Sequence, residues 1–251
     1  MRVLLLLASL ILSIAAASAA SAASAASAAE PVRVAVAANF AKPLETLVAL
    51  YGEDHPDVTI ETTVASTGKL AAQIRQGAPF DIFLAADDRR PMELDKEGRG
   101  VDGTRRVYAL GRLALWSPER GLDLGPALLE SGDLSPIALA NPRLAPYGAA
   151  GQAVLDALNL PAPVKVVQGE NVGQAYHFAS SGAARAGFVA FSQVRGAGGS
   201  LWLPDSDLYP TIEQQSLLLK DRAETRAFYE FLSSDAARAR IEEAGYGVAP
   251  R

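Results

Sequence analysis

From Val32 onward the chain alternates two hydrophobic periods. Val32 to Ala37 is a continuous apolar run of strand length, broken at Ala38-Asn39-Phe40. Leu44, Leu47, Val48 and Tyr51 then recur at i, i+3, i+4 and i+7, the stripe of an amphipathic helix. Asp54-His55-Pro56-Asp57 ends it, because a residue before proline avoids helical angles. Val58 to Val64 alternates with a period of two. Ser66-Thr67-Gly68 opens a helix with Leu70 and Ile74 on one face, and Gly77-Ala78-Pro79 stops it. Phe80 to Ala85 predicts a third strand, and Asp87-Asp88 the start of a third helix. Strands alternating with helices predict an α/β fold with largely parallel sheets.

Tyr108 to Trp116 interrupts this rhythm with a long apolar stretch, which predicts a crossover into a second lobe. There the alternation resumes. Ile137 to Ala140 reads as a strand, Asn141 to Gly148 as a Pro-rich loop and Ala149 to Leu158 as a helix. Val164 to Val167 reads as a strand, Gly169-Glu170-Asn171 as a turn and Val172 to Ser180 as a helix. Phe188 to Phe191 and Leu201-Trp202-Leu203 are short strands. Ile212 to Leu219 predicts the return crossover, and helices over 227–232 and 236–244 close the chain. The predicted layout is lobe I from residues 30–110 plus 214–251, with lobe II, residues 111–213, inserted between.

The first 29 residues have another character. Arg2 precedes the apolar run Val3 to Ala16, and repeated Ala-Ser-Ala steps continue to Ala29. A basic start, a short apolar run and small residues predict a secretory signal peptide, cut somewhere in the Ala/Ser tract. The alternative, an uncleaved anchor, is disfavoured because the run is short for a bilayer and no stop-transfer pattern follows. The expected location is the periplasm. The absence of cysteine excludes disulfides, a zinc–thiolate centre, a catalytic thiol and a cysteine-borne lipid anchor. Two histidines are too few for a His-rich metal site. A formal net charge of −5 argues against a nucleic-acid partner. It leaves room for a small anion held by local dipoles.

Four junctions share one arrangement: a strand end, one to three small or polar residues, then a helix start. They are Ala38-Asn39-Phe40, Ser66-Thr67-Gly68, Tyr147-Gly148-Ala149 and Asn171-Val172-Gly173. The first N–H groups of a helix have no partner inside it, and the helix dipole adds partial positive charge there. Such an end accepts a phosphate-like anion without any lysine or arginine. Taken singly, Asn39, Ser66 and Thr67 read as ordinary caps or turn residues, and Gly148 and Gly173 as relief of backbone crowding. Only the set of four, spread over two lobes, carries a functional reading. Asp81, Asp87 and Asp88 are expected to serve as turn and cap residues aimed away from the cleft, since a carboxylate would repel the ion.

Six segments together, VAVAANF from Val34, VASTGKLAAQI from Val64, GAPFDIFLAAD from Gly77, NPRLAPY from Asn141, GENV from Gly169 and GFVAFSQV from Gly187, resemble the periplasmic molybdate-binding proteins of ABC transporters. The resemblance runs in order over residues 32–248. It implies a type II periplasmic-binding-protein fold: two doubly wound α/β lobes, joined by two crossover strands, with the ligand cleft between. It implies capture of molybdate or tungstate without a cofactor, no metal bound directly by the protein, no catalysis, and delivery to an ABC permease by a monomer. Carried over by position, it places the ion among Ala38, Asn39, Ser66, Thr67, Tyr147 and Val172. A tyrosine that some members carry on the last pocket strand is Ala190 here, and Tyr147 stands to replace its hydroxyl. Molybdate and tungstate are not separable at this level. Sulfate or thiosulfate binding, and a serine hydrolase using Ser66 or Ser180, are the alternatives.

Overall fold

Two five-stranded sheets, each flanked by helices, divide the chain in the computed structural model of the protein, which describes residues 30–248. The predicted signal peptide lies outside the described residues. The first sheet has the order β2-β1-β3-β10-β4. Its strands are β1 (Val32–Ala37), β2 (Ile60–Ala65), β3 (Ile82–Leu84), β4 (Arg106–Gly111) and β10 (Ile212–Leu218). The second has the order β7-β6-β8-β5-β9. Its strands are β5 (Leu113–Ser117), β6 (Ile137–Ala140), β7 (Val166–Gly169), β8 (Ala186–Ala190) and β9 (Ser200–Trp202).

The central strand β1 shows why this layering holds. Successive side chains of a strand point to opposite faces. Val32, Val34 and Val36 enter one buried cluster with Phe40, Leu44, Leu47 and Phe228. Ala35 enters the cluster on the other face with Leu70, Phe83 and Leu94. The helix α1 (Ala41–Asp54) follows a 3-10 turn over Ala38–Phe40. Its Leu44 and Leu47 are fully buried, and burial of each leucine contributes roughly 1.5–3 kcal/mol. The other helices are α2 (Thr67–Arg75), α3 (Arg89–Lys96), α4 (Pro126–Glu130), α5 (Pro146–Ala157), α6 (Val172–Ser180), α7 (Phe191–Val194), α8 (Ala223–Phe231) and α9 (Asp235–Glu243). Among the described residues, no helix is long and apolar enough to cross a membrane.

The sheets are mixed, not largely parallel. β1 pairs in parallel with β2 and β3, but β10 runs antiparallel to β3 and β4. In the second sheet β6 is parallel to β7 and β8, while β5 is antiparallel to β8 and β9. The strands that carry the chain between sheets enter against the local direction. The apolar stretch 108–116 is two strands parted at Arg112: β4 pairs with β10 of the first sheet and β5 with β8 of the second. The chain therefore changes sheet within one residue.

Several local expectations need correction, among them the helix expected over 227–232, which runs over Ala223–Phe231. The helix expected from Ala149 begins at Pro146, because Pro at the first helical position adopts the required φ and lacks only an N–H that would go unused. The strand expected at 164–167 runs from Val166 to Gly169, two residues later, so that β6 can pair Ile137 with Val166.

Candidate functional site

All six residues marked by sequence, Ala38, Asn39, Ser66, Thr67, Tyr147 and Val172, line one small cavity at the base of the cleft, with Ala37, Ala86, Ala145, Pro146 and Asn171. It admits the centres of water-sized atoms over about 10 Å3, on a measure where a single water needs roughly 10–15 Å3. A sugar, peptide or nucleotide does not fit such a space. An adjoining groove of about 670 Å3 shares Ala86 and Pro146, but it also carries Asp87, Arg89, Arg90 and Arg143. Its mixed charges fit a small anion less well than the cavity does.

No charged side chain lines the cavity among the described residues. Its polar groups come from helix starts. The Thr67 hydroxyl accepts the Ala86 N–H at 3.1 Å, which leaves its own hydrogen to donate elsewhere. Ser66 stands at the N-cap position of α2, yet its hydroxyl caps nothing and is buried without a partner. Asn171 is a true cap: its Oδ1 accepts the Gln174 N–H at 3.0 Å. That leaves the first N–H groups of α6, Val172 and Gly173, without partners inside the helix. In α5 the Tyr147 N–H is in the same position, directly after Pro146. The Gly68 N–H is already committed across the cleft, donating to Leu144 O at 2.9 Å.

Carboxylates stand outside this shell. Asp87 accepts the Arg90 N–H at 3.1 Å and pairs with the Arg90 guanidinium, which itself donates to Arg143 O of the second lobe at 2.7 Å. Asp81 is fully buried in the first lobe, where it accepts the Arg33 N–H at 2.7 Å and meets Arg222 and Lys220 at 2.9 and 3.4 Å. Asp88 occupies the N-cap position of α3 without a side-chain bond, so the cap expected there comes from Asp87 alone.

Beneath the cavity lies a polar network that the sequence reading missed. Asn39 Nδ2 donates to Gln214 Oε1 at 2.7 Å and to the Tyr246 hydroxyl at 3.1 Å. The Tyr108 hydroxyl lies 3.0 Å from both Gln214 Oε1 and Ala85 O. Gln214 Nε2 donates to the Tyr147 hydroxyl at 3.3 Å. Ser192 donates to Tyr246, and Tyr246 to Asn39 O, each at 2.8 Å. Burial pushes the Tyr108 and Tyr147 hydroxyls well above their ordinary range and Tyr246 up to about 12. All three keep their hydrogens at neutral pH. The Tyr147 hydroxyl reaches this network because Gly111 has no side chain: a Cβ there would stand 2.4 Å from it. Ala190, at the end of β8, is buried and does not line the cavity. The signal that could have exposed the network is the polar run Glu213 to Ser216, with Gln214-Gln215 at its centre, between the apolar ends of a strand-length segment.

A nucleophile needs a neighbouring base. The Ser66 hydroxyl has no hydrogen-bond partner, and Ser180 donates to His177 O on an exposed helix end.

The model of the bacterial extracellular solute-binding protein family matches residues 32–247. The chain is 41% identical over 227 residues to the curated molybdate-binding protein ModA of Azotobacter vinelandii, covering 86% of this chain and 90% of that protein. It is 42% identical over 223 residues to the molybdate-binding protein ModA of Rhodobacter capsulatus, covering 86% and 87%. The solved structure of the Azotobacter vinelandii periplasmic molybdate-binding protein superposes with a TM-score of 0.82 at 35% identity, over 87% of this chain and all of that one.

Proposed function

The chain belongs to the bacterial extracellular solute-binding proteins, and we propose that it is a periplasmic member that captures molybdate or tungstate and delivers it to an ABC permease. The observation that carries this reading is the small cavity between the sheets, lined by Asn39, Ser66, Thr67, Tyr147 and Val172 and, among the described residues, by no charged side chain. Molybdate-binding relatives at 41% and 42% identity support the same ligand.

The chemistry follows from the donors. A hydrogen bond to an ionised acceptor is about twice as strong as one between neutral groups. A fully deprotonated dianion therefore needs no countercharge if enough N–H and O–H groups converge on it. Hydrogen phosphate would keep a proton and require an acceptor facing it. The helix starts offer N–H groups, and Thr67, with its oxygen already bonded to the Ala86 N–H, offers a hydrogen. The protein binds its ligand and does not transform it.

The two sheets meet over the cavity through Gly68 N–H to Leu144 O, Arg90 to Arg143 O, and the exposed pair Lys69–Glu170 at 3.3 Å. Gly68 allows this approach, because a Cβ would lie 3.1 Å from the Leu144 backbone. Opening about the strands flanking Arg112 and about β10 admits the ion, and closure brings both halves of the donor set onto it. The decisive experiment is calorimetry of residues 30–251 with molybdate, tungstate and sulfate. One-to-one molybdate binding that survives excess sulfate is expected, and no heat with any of the three would refute the proposal.

A further inference from the structure

The network under the cavity holds two carboxamides, and its hydrogen bonds do not close. Asn39 lines the cavity, but both hydrogens of its Nδ2 point into the protein, to Gln214 and Tyr246. Its Oδ1 is buried with no partner, which leaves an unsatisfied acceptor. The Tyr108 hydroxyl has one hydrogen and two acceptors in range, Ala85 O and Gln214 Oε1, at 3.0 Å each. The Tyr147 hydroxyl accepts from Gln214.

A carboxamide has nearly the same shape after its oxygen and nitrogen exchange places, and its partners decide which arrangement stands. Suppose Asn39 and Gln214 both turn over. Gln214 then donates to Asn39 Oδ1 across the present 2.7 Å contact and to the Tyr108 oxygen. Tyr108 gives its hydrogen to Ala85 O without division. Tyr147 donates to Gln214 Oε1 across the present 3.3 Å contact. One bond is surrendered, Asn39 to Tyr246 at 3.1 Å. The orphaned oxygen becomes an acceptor with a donor, and an N–H pair takes its place beside the cavity. Neither amide can turn alone, because like atoms would then face each other over 2.7 Å.

We infer that Gln214 is a positioning residue for the anion, which sets the polarity of the Asn39 carboxamide, and that anion binding selects the arrangement in which both amides are turned over and Asn39 presents Nδ2 to the cavity. This rests on the cavity being the anion site, as proposed above. Gln214 suits the role by its place in the fold. It sits on the return strand, where the β10–β4 register shifts between Gln214 and Gln215, and such bulges re-aim side chains near sites. From there it touches Asn39 of one half of the cavity and Tyr147 of the other.

The test is a double-mutant cycle read by calorimetry with molybdate, together with melting curves to show that each variant folds. Gln214→Met removes both amide groups at similar volume and is expected to weaken binding about tenfold or more, the effect of one hydrogen bond to an ion. In an Asn39→Ala background the same change should add nothing, since Gln214 acts through Asn39. Gln214→Glu has only acceptors, holds Asn39 inward and should bind at least as weakly as Gln214→Met. In 15N spectra, the side-chain amide signals of Gln214 should move on saturation with molybdate although the residue does not line the cavity. Wild-type affinity in Gln214→Met, or full additivity with Asn39→Ala, would overturn the inference. If Asn39→Ala and Thr67→Ala both bind as the wild type does, the cavity assignment itself is wrong; if they weaken binding while Gln214→Met does not, only the role of Gln214 falls.

Discussion

The two halves of the cavity supply donors of different kinds. Lobe I brings side chains: the Ser66 and Thr67 hydroxyls, beside the Asn39 carboxamide, whose hydrogens go to Gln214 and Tyr246. Lobe II brings backbone N–H groups, at Tyr147 behind Pro146 and at Val172 behind the Asn171 cap. A backbone donor is aimed by helix geometry and survives most substitutions. A side-chain donor is aimed by its own partners, and lobe I accordingly stands on a buried polar network. Substitution should therefore disturb lobe II through shape and lobe I through chemistry.

The sharpest way to break that contrast is to attack shape in lobe II. A Cβ at Gly148 would lie 2.2 Å from Ala140 O and 2.7 Å from its carbon, where no flexible side chain can yield. Gly148→Ala is expected to destabilise the fold by about 3 kcal/mol or more and to abolish molybdate binding at ordinary concentrations; an unchanged melting temperature would refute this. Alkaline pH attacks the network under lobe I. Tyr246 is raised by burial from 10.0 to about 12, so its contribution is fully present below pH 10. As pH rises from 10 to 12 the unfolded chain ionises this group while the folded one cannot, and about 2–3 kcal/mol is lost. Melting temperatures in the wild type should fall over that window, and less steeply in Tyr246→Phe.

Chemistry in lobe I is tested by Thr67→Ala, expected to weaken molybdate by roughly 1.5–3 kcal/mol. Thr67→Ser, which keeps the hydroxyl, should retain most of the affinity by calorimetry. The matching change in lobe II, Val172→Ala, keeps the N–H and should leave affinity nearly unchanged; a loss as large as that of Thr67→Ala would erase the contrast between lobes. Smallest is Lys69→Gln. Its pair with Glu170 has side chains 52% and 63% exposed, worth about 0–1 kcal/mol and less in high salt. Affinity should shift slightly at low ionic strength and not at all in 1 M salt.

The helix starts were legible because strand end, cap and first turn are neighbours in the chain. Asn171 announces α6 through a bond to Gln174 only three residues on. The start of α5 was misplaced because two prolines in Asn141–Gly148 resemble a loop, although Pro146 is the first residue of the helix. The polarity of Asn39 was beyond reach for another reason. Its partners Gln214 and Tyr246 lie 175 and 207 residues away. Ser66 shows the same limit: at the N-cap it looks like a cap, and only the fold shows its hydroxyl unused.

Local order along the chain thus determined the α/β alternation, the two crossings between sheets and the residues that face the cleft, because periodicity, proline and caps act over a few residues. Which atom of each polar side chain looks into the cavity was decided by tertiary structure alone. Hydroxyls and carboxamides turn freely on their own stems, and only partners brought from distant strands hold them one way.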